Sequence, residues 1–395
     1  MSAHLLLEKP SINNSINGLL LALYLGWLAI FRYFTNMLST DSILLTMLPV
    51  AVVLAVSLIV NRRSTVISKS TLTVGLITVV ILALSAAFLY NPVVLSYGYN
   101  FLVYGLIPLY LIGRLNDISS FFKYFAYVSM FTVLILGLDP LDGYAITGDY
   151  MVYGYYVMLP AFVALYISRK YYGIKWLLLF EILTLFLIIV FANRGAALAA
   201  IALVIMSNLL VDTVTRRRLL LIGLSSVIIL IGLLNIEIIL EWGINIAQDS
   251  GGSSYALETI HRSLSGETDG LSGRDALWSN VPAMFNESPI IGHGIAAFEH
   301  THAIYTHNII LEVLVSFGIV GVVTMLVYGL YYIYRMIKSD RVDRLPYVIG
   351  ISIGVIPLMF SMQPFIWYFF WLFSVNPSQK IDLSMADNLK KPRRQ

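Results

Sequence analysis

Long apolar stretches separated by short polar segments run along almost the whole chain. An apolar stretch of about 20 residues is long enough to cross the hydrocarbon core of a bilayer as a helix. The pattern therefore predicts an all-α membrane protein with about 12 transmembrane helices. Their expected bounds are 16–34, 42–60, 71–90, 93–112, 120–138, 151–168, 174–192, 195–212, 219–240, 308–334, 345–361 and 364–376.

One polar segment is much longer than the others. It covers residues 241–306, between the ninth and tenth predicted spans, and polar loops of this length are uncommon unless they are functional or disordered. Its first part, around residues 251–254, is expected to be flexible. Its second part has apolar residues at helical spacing over 276–285, followed by Pro289 and the Gly292/Gly294 pair. This order predicts a short helix that ends in a tight turn.

Composition agrees with a membrane protein, because only 12% of the residues are charged, against about 25% in soluble domains. The sequence contains no Cys, which excludes disulfides and thiolate metal sites. The net charge of +3 comes from short basic loops between spans, so it does not indicate nucleic-acid binding. No cleavable signal peptide is expected, since no small-residue cleavage site accompanies the first apolar stretch.

The basic residues predict the orientation of the chain. Lys and Arg are retained on the cytoplasmic side of a membrane, and all but four of the 25 Lys and Arg lie on one predicted side. Both termini are therefore expected in the cytoplasm. Residues 1–376 would form a single polytopic membrane domain, and residues 377–395 a basic, disordered tail near anionic lipid. The exceptions on the outer side are Arg32, Arg194, Arg262 and Arg274.

Two of these outer arginines lie where an anion could bind. Arg194 occupies a very short connection between spans seven and eight, which holds it at the membrane boundary, and Arg274 lies in the outer loop. A guanidinium presents a planar fork of donors that matches phosphate oxygens. The alternatives are a snorkelling Arg194 that touches lipid headgroups and an Arg274 that pairs with Asp275 or Glu267.

Histidines are concentrated in the outer loop, where five of the six are found: His261, His293, His300, His302 and His307. A metal site would have to use Glu299, His300, His302 and His307. Their spacing is not that of a zinc site, and no His-Glu-x-x-His pattern is present. Polar loop histidines are the simpler interpretation, and no metal or other cofactor is expected.

His307 differs from the other histidines because it stands immediately before span ten. The positive end of that helix favours a neutral imidazole, which is a competent general base near pH 7. A bound pyrophosphate would favour the protonated form instead, and the sequence leaves both protonation states open.

Three carboxylates lie in or near predicted spans, where ionisable groups are costly and often functional. Glu312 follows His307 by little more than one helical turn and is a candidate hydrogen-bonding group near it. Glu237 is close enough to the outer end of span nine to be hydrated. Glu181 has no obvious partner in the sequence.

Short sequence elements between about residues 180 and 330 resemble, in their order, the signature of the O-antigen ligase and polymerase superfamily. The first element, Asn193-Arg194-Gly195, is similar to the earlier Arg-Gly element of that family, although Ser is more usual than Asn at its first position. The later elements are Gly273-Arg274, Trp278, Ser288-Pro289-Ile290-Ile291-Gly292-His293-Gly294, Phe298, His307-Asn308, Leu311, Gly318 and Gly321. The ordered set is more specific than any of its parts.

The resemblance implies an inverting, metal-independent glycosyltransferase at the outer face of the cytoplasmic membrane. Its donor would be a polyprenyl-pyrophosphate-linked oligosaccharide, and its acceptor a glycan or a lipid A-core. Arg194 and Arg274 would hold the pyrophosphate, and His307 would activate or orient the acceptor hydroxyl. The further substrate-binding candidates are Asn308, Trp278 and Glu312.

Three functions compete at this level. A polymerase would join lipid-linked repeat units into an O-antigen, capsule or exopolysaccharide chain, and we favour it slightly. A ligase would move a finished glycan from the polyprenyl carrier to another acceptor by the same donor chemistry. A transporter or flippase for a lipid-linked substrate would also fit twelve spans, but the sequence shows no internal repeat of the kind found in transporters.

Overall fold

A computed structural model of the protein describes residues 12–37, 43–62, 69–89, 92–212, 236–249, 258, 261 and 274–375. Within these residues the chain forms helices and turns and contains no strand, so the expected all-α class is confirmed for them. The helices are α1 (Ile12–Met37), α2 (Ile43–Val60), α3 (Lys69–Leu89), α4 (Pro92–Ile112), α5 (Ser119–Leu136), α6 (Tyr150–Tyr172), α7 (Leu178–Phe191), α8 (Arg194–Val211), α9 (Ile236–Asp249), α10 (Arg274–Trp278), α11 (Val281–Glu287), α12 (Ala297–His302), α13 (Ile309–Lys338), α14 (Val342–Phe360) and α15 (Phe370–Val375).

Seven of the described helices are long and apolar enough to cross a membrane, and α2 and α3 contain shorter apolar segments. The predicted number of twelve spans is therefore not confirmed. The ninth predicted span, 219–240, lies mostly outside the described residues, as do the stretch 251–254 and the tail 377–395. The short helix predicted over residues 276–285 is present as two pieces, α10 and α11, which are separated at Ser279 and Asn280.

The helix α6 lies at the centre of the bundle, and α13 lies at its edge. Of the apolar window in α6, 83% is buried inside the protein, whereas the corresponding value for α13 is 17%. Most of the exposed residues of α13 are apolar, as Val323, Leu326 and Leu330 illustrate. A helix that is apolar on its exposed side is stable in contact with acyl chains.

Charged side chains at one end of the bundle pair with one another. Lys170 Nζ lies 3.0 Å from Asp212 Oδ2, which links the end of α6 to the end of α8. Arg169 Nη2 donates to Glu181 Oε1 at 2.8 Å, so Glu181 does have a partner, one that only the packing of α6 against α7 reveals. Because α8 spans 18 residues, Arg194 at its other end is about 27 Å away from this cluster.

The helix α13 is interrupted at Gly318, and the preceding loop fills the interruption. Gly318 has φ 59° and ψ −154°, values that a helical residue does not adopt. The N–H groups of Ile319 and Val320, which begin the second half of the helix, donate to the carbonyls of Pro289 and Ile290 at 2.9 and 3.1 Å. The loop therefore satisfies the helix donors that the interruption leaves without an intrahelical partner.

The first half of α13 ends on the same loop. The N–H groups of His293 and Gly294 donate to the carbonyls of Val315 and Ser316 at 2.9 and 2.8 Å. Gly292 has φ 69°, and a Cβ at that position would collide with the backbone of residues 316 and 317. The tight turn predicted at Gly292 and Gly294 is thus present, and it docks into the break of α13.

Replacing Gly318 with alanine should lower the thermal stability of the protein. A Cβ on Gly318 would lie 2.5 Å from the carbonyl oxygen of Ile290, and its positive φ is unfavourable for alanine, so we expect a loss of about 1–3 kcal/mol or more. The measurement is the melting temperature in detergent. Gly329→Ala in the same helix is the control, since a Cβ there meets nothing within 4 Å and alanine is the better helix former. Equal melting temperatures for the two variants would contradict the docking of the loop.

Candidate active site

The connection between α7 and α8 is short and tightly packed. Asn193 has extended φ and ψ and caps α8, since its Oδ1 accepts a hydrogen bond from Ala196 N at 2.8 Å, as asparagine commonly does at this position. Arg194, the first residue of the helix, has an exposed side chain. At Gly195 a Cβ would collide with the hydroxyl of Tyr155 and would lie 3.1 Å from Phe360 Cβ. Glycine at this position lets the arginine-bearing turn contact both α6 and the end of α14.

Arg274, at the start of α10, reaches the same end of α14. Its Nη1 donates to the carbonyl of Phe360, and its Nη2 donates to Ser361 Oγ at 2.9 Å. Phe360 therefore connects Arg274 with the turn that carries Arg194, although the two arginines are 80 positions apart in the sequence. Both acceptors of Arg274 are uncharged groups.

The alternative partners considered for Arg274 lie outside the described part of the chain, since neither Glu267 nor the side chain of Asp275 is described. Among the carboxylates that the structure does describe, none forms an ion pair with Arg274. Among the described residues the Arg274 guanidinium donates only to neutral acceptors. It can exchange them for phosphate oxygens, because hydrogen bonds between charged groups are stronger.

The turn at residues 305–308 lies against the same segment. Tyr305 Oη donates to the carbonyl of Ser361, and Asn308 Nδ2 donates to the carbonyl of Met359 at 3.4 Å. Trp278 Nε1 donates to the carbonyl of Thr306 at 2.8 Å. Hydrogen bonds therefore hold the turn against α10 on one side and against the end of α14 on the other.

His307 is the residue that this turn presents. Its backbone has φ 56°, which is uncommon for a residue with a side chain and is a form of strain found at functional sites. Its ring lies 4.0 Å from the ring of Tyr305, between centroids. Its Nδ1 is enclosed and has no hydrogen-bond partner among the described residues.

Burial and the nearby Arg274 guanidinium together lower the pKa of His307 to about 4, against a smaller opposing effect of a hydrogen bond from the imidazole to the backbone of Ser361. The imidazole is therefore neutral at pH 7 in the ligand-free protein. The sequence left the protonation state of His307 open. In the structure, burial and the nearby Arg274 guanidinium favour the neutral form. A neutral imidazole has a nitrogen lone pair that can accept a proton.

The three other substrate-binding candidates are engaged within the protein. Asn308 Oδ1 caps α13 by accepting from Ile310 N at 2.9 Å, in addition to its contact with Met359. Glu312 Oε2 accepts from Thr306 Oγ1 at 3.0 Å, while its Oε1 is enclosed without a partner among the described residues. Trp278 holds Thr306. These side chains position His307, and their contact with substrate stays a prediction.

The residues considered for a metal site have separate environments. Glu299 Oε2 accepts from Tyr97 Oη at 2.7 Å and from Gln363 Nε2 at 3.1 Å. His300 is exposed, and the His302 ring packs 4.5 Å from Phe298. In the described ranges no three His, Asp or Glu side chains gather closely enough to hold a metal ion.

Sequence reasoning missed the residues that join these elements. Phe360 and Ser361 contact Arg274, and Tyr155 contacts Gly195, yet none of the three is unusual in its local sequence. The one available signal was the two-residue connection between the predicted spans 345–361 and 364–376, which holds the backbone of residue 361 at the same membrane boundary.

One protein family matches part of the chain. Residues 179–326 match the model of a family described as O-Antigen ligase, a range that contains α7, α8, the outer loop and the interrupted part of α13. No curated protein and no solved structure shows significant similarity to the chain. The apolar helices indicate a membrane protein, and the match supports a relationship of residues 179–326 to the O-antigen ligase and polymerase superfamily.

Proposed function

We propose that the protein is a polymerase-type glycosyltransferase of the cytoplasmic membrane. It transfers a glycan from a polyprenyl-pyrophosphate carrier to a sugar hydroxyl at the outer face. The observation that carries this proposal is that Arg274 and His307 both contact Ser361. Arg274 donates to the carbonyl of Phe360 and to Ser361 Oγ, and the His307 imidazole forms a hydrogen bond with the backbone of Ser361. The turn that begins with Arg194 packs against the same Phe360.

The donor half of the reaction requires stabilisation of a leaving pyrophosphate. Negative charge develops on the phosphate oxygen as the bond to the anomeric carbon breaks, and fixed donors aimed at that oxygen stabilise it. Arg274 supplies a fork of donors whose present acceptors are a carbonyl and a hydroxyl. Arg194, which is exposed at the N-terminus of α8, supplies a second cation beside the positive end of a helix.

The acceptor half requires a group that takes a proton from an alcohol. In our proposal the acceptor oxygen attacks the anomeric carbon from the face opposite the pyrophosphate, and His307 receives its proton. The bond to the pyrophosphate breaks as the new glycosidic bond forms, so the configuration at the anomeric carbon is inverted. Arg274 lies close enough to His307 to lower the pKa of the imidazole. This proximity supports a single site for donor and acceptor.

An outer location is supported by the charge distribution. The proposed site lies at the Arg194 end of α8, whereas Lys170, Arg169 and their carboxylate partners lie at the other end. Because basic residues are retained on the cytoplasmic side, the end with Arg194 would face outward.

The ligase reaction is the second candidate, since the family whose model matches residues 179–326 is described as O-Antigen ligase. It uses the same donor and the same two arginines, and differs only in the acceptor. A transporter is less well supported. The interruption in α13, a feature of some transporters, is filled by the loop at residues 289–294.

The surface glycan of a strain lacking this protein should separate the two enzymes. If the protein is the polymerase, we expect its deletion to leave acceptors that carry a single repeat unit on a gel, because the ligase still acts. Acceptors without any repeat unit, together with glycan that accumulates on the polyprenyl carrier, would identify the ligase. An unchanged ladder in the strain that lacks the protein would overturn both enzyme assignments.

A further inference from the structure

The connection between α5 and α6, residues 137–149, is folded around one buried carboxylate. Asp139 has 3% of its surface exposed. Its Oδ1 accepts from Ile146 N at 2.8 Å, and its Oδ2 accepts from Thr147 N at 2.9 Å and from Thr147 Oγ1. Hydrogen bonds to a charged acceptor are strong, so this carboxylate holds the two halves of the connection together.

Between these halves the chain forms a strained turn that directs one tyrosine. Gly143 and Tyr144 both have left-handed backbones, with φ 67° and 61°, a conformation that is rare for a residue with a bulky side chain. Tyr144 N donates to the carbonyl of Asp139 at 3.0 Å, and Gly148 N donates to the carbonyl of Tyr144 at 2.7 Å. The surroundings therefore over-determine the conformation of Tyr144, as persistent strain requires.

The hydroxyl of Tyr144 holds the end of α7. It donates at 2.7 Å to the carbonyl of Phe191, the last residue of that helix, and both residues are buried. The last carbonyls of a helix have no intrahelical partner, so this bond satisfies one of them. The ring of Tyr144 also packs against that of Tyr153 in α6, with 5.8 Å between centroids.

Only two residues separate this carbonyl from Arg194. Ala192 and Asn193 both have extended backbones, and α6 packs closely against them, since a Cβ on Gly154 would lie 2.9 Å from Ala192 Cβ. Tyr144 fixes the start of this connection, and the Asn193 cap fixes its end. Because the connection is so short, a shift of the carbonyl would be transmitted to the first turn of α8.

We propose that Tyr144 is a positioning residue for Arg194. Its hydrogen bond to the Phe191 carbonyl fixes the place from which the guanidinium reaches the pyrophosphate, and Tyr144 itself does not touch the substrate. This inference rests on the proposed function, because it requires Arg194 to bind the leaving group. It adds the connection between α5 and α6 to the support of the donor site, although that connection lies outside residues 179–326.

The test is equilibrium binding of radiolabelled polyprenyl pyrophosphate to the full chain in phosphatidylcholine nanodiscs. Arg194→Ala removes hydrogen bonds between charged groups and should lower the affinity about ten- to hundredfold. Tyr144→Phe keeps the cation but releases its turn, so the affinity should fall about three- to tenfold. Tyr144→Phe should cause no further loss in the Arg194→Ala background and should keep its full effect in the Arg274→Ala background, because only coupled residues are non-additive.

Tyr332→Phe is the matched control. Tyr332 is 7% exposed, as is Tyr144, and its hydroxyl also donates to a carbonyl, that of Phe373 at 2.9 Å. Both variants remove one buried hydrogen bond and should lower the melting temperature by similar small amounts. Tyr332→Phe should bind the carrier like the wild type, because Tyr332 packs against Tyr347 near the start of α14, at the end opposite to Phe360.

Thr147→Val provides a second variant in case Tyr144→Phe does not fold. It removes one donor to Asp139 and leaves the Tyr144 side chain intact. We expect a smaller loss of affinity, which should also disappear in the Arg194→Ala background. Wild-type affinity in this variant, with Tyr144→Phe unfolded, would overturn the positioning role.

The outcomes separate the inference from the proposed function. Wild-type affinity in Tyr144→Phe, an equal loss in Tyr332→Phe, or a further loss when Tyr144→Phe is added to Arg194→Ala would each overturn the inference alone. Failure of the wild type to bind polyprenyl pyrophosphate, or wild-type affinity in Arg194→Ala, would overturn the role of Arg194 in the proposed function as well.

Discussion

Replacing Arg274 with alanine should abolish glycan transfer while the protein still inserts into the membrane. The guanidinium provides two donors, now held by Phe360 and Ser361, and the loss of one donor to a developing anion costs about 10²–10³ in rate. We expect a loss of about a thousandfold or more. Arg274→Lys should also be poor, because an ammonium cannot present the bidentate fork. Arg194→Ala should lose transfer for the same electrostatic reason.

The measurement for these variants is the release of polyprenyl pyrophosphate from a lipid-linked oligosaccharide in proteoliposomes. Arg335→Ala is the control, since Arg335 is an exposed cation at the other end of α13, where it donates to Tyr331 Oη at 2.9 Å. It should retain full turnover. If Arg194→Ala and Arg274→Ala both turned over like the wild type, the pyrophosphate clamp would be wrong.

Removing the imidazole of His307 should have the second large effect. Loss of a general base lowers the rate by about 10²–10⁴-fold. His307→Asn is preferable to His307→Ala, because asparagine tolerates the left-handed backbone at this position, with φ 56°. His300→Ala is the matched control, since His300 is an exposed histidine of α12. Equal loss of activity in both variants would point to damage of the loop instead of a missing base.

The pH dependence provides a separate test of His307. Its pKa is lowered to about 4 in the ligand-free protein, so the neutral base persists above that value and disappears as the pH falls through it. The acid limb of kcat/KM should therefore lie well below pH 6. Bound pyrophosphate adds negative charge beside the ring, which raises the pKa, so the acid limb of kcat should lie at higher pH than that of kcat/KM. The residual rate of His307→Asn should show neither limb.

The residues around His307 also hold its backbone in place. The turn at residues 305–308 is held by Trp278, Asn308 and Thr306 through hydrogen bonds to backbone or capping groups. These bonds allow a strained His307 to persist, since strain survives only where the surroundings over-determine the conformation. Substitutions of Trp278 would therefore act on His307 from a distance.

The sequence by itself determined the helices and the residue types of the site. Apolar stretches predict membrane helices because a span needs a long apolar surface and an internally bonded backbone. Asn193 before an apolar helix predicts a cap, and the Gly292/Gly294 pair predicts a turn, because both are local properties of a few consecutive residues. Outer arginines are conspicuous because the retention of basic residues in the cytoplasm does not explain them.

Only the tertiary structure decided which of these residues meet. Arg274 contacts Phe360 and Ser361, which are 86 and 87 positions away in the sequence, and no periodicity encodes a contact of that separation. The break of α13 at Gly318 depends on the loop that docks there, and the position of the turn at Arg194 depends on the close approach of Tyr155 to Gly195. Such contacts follow from how packed helices fill space, which depends on all the side chains at once.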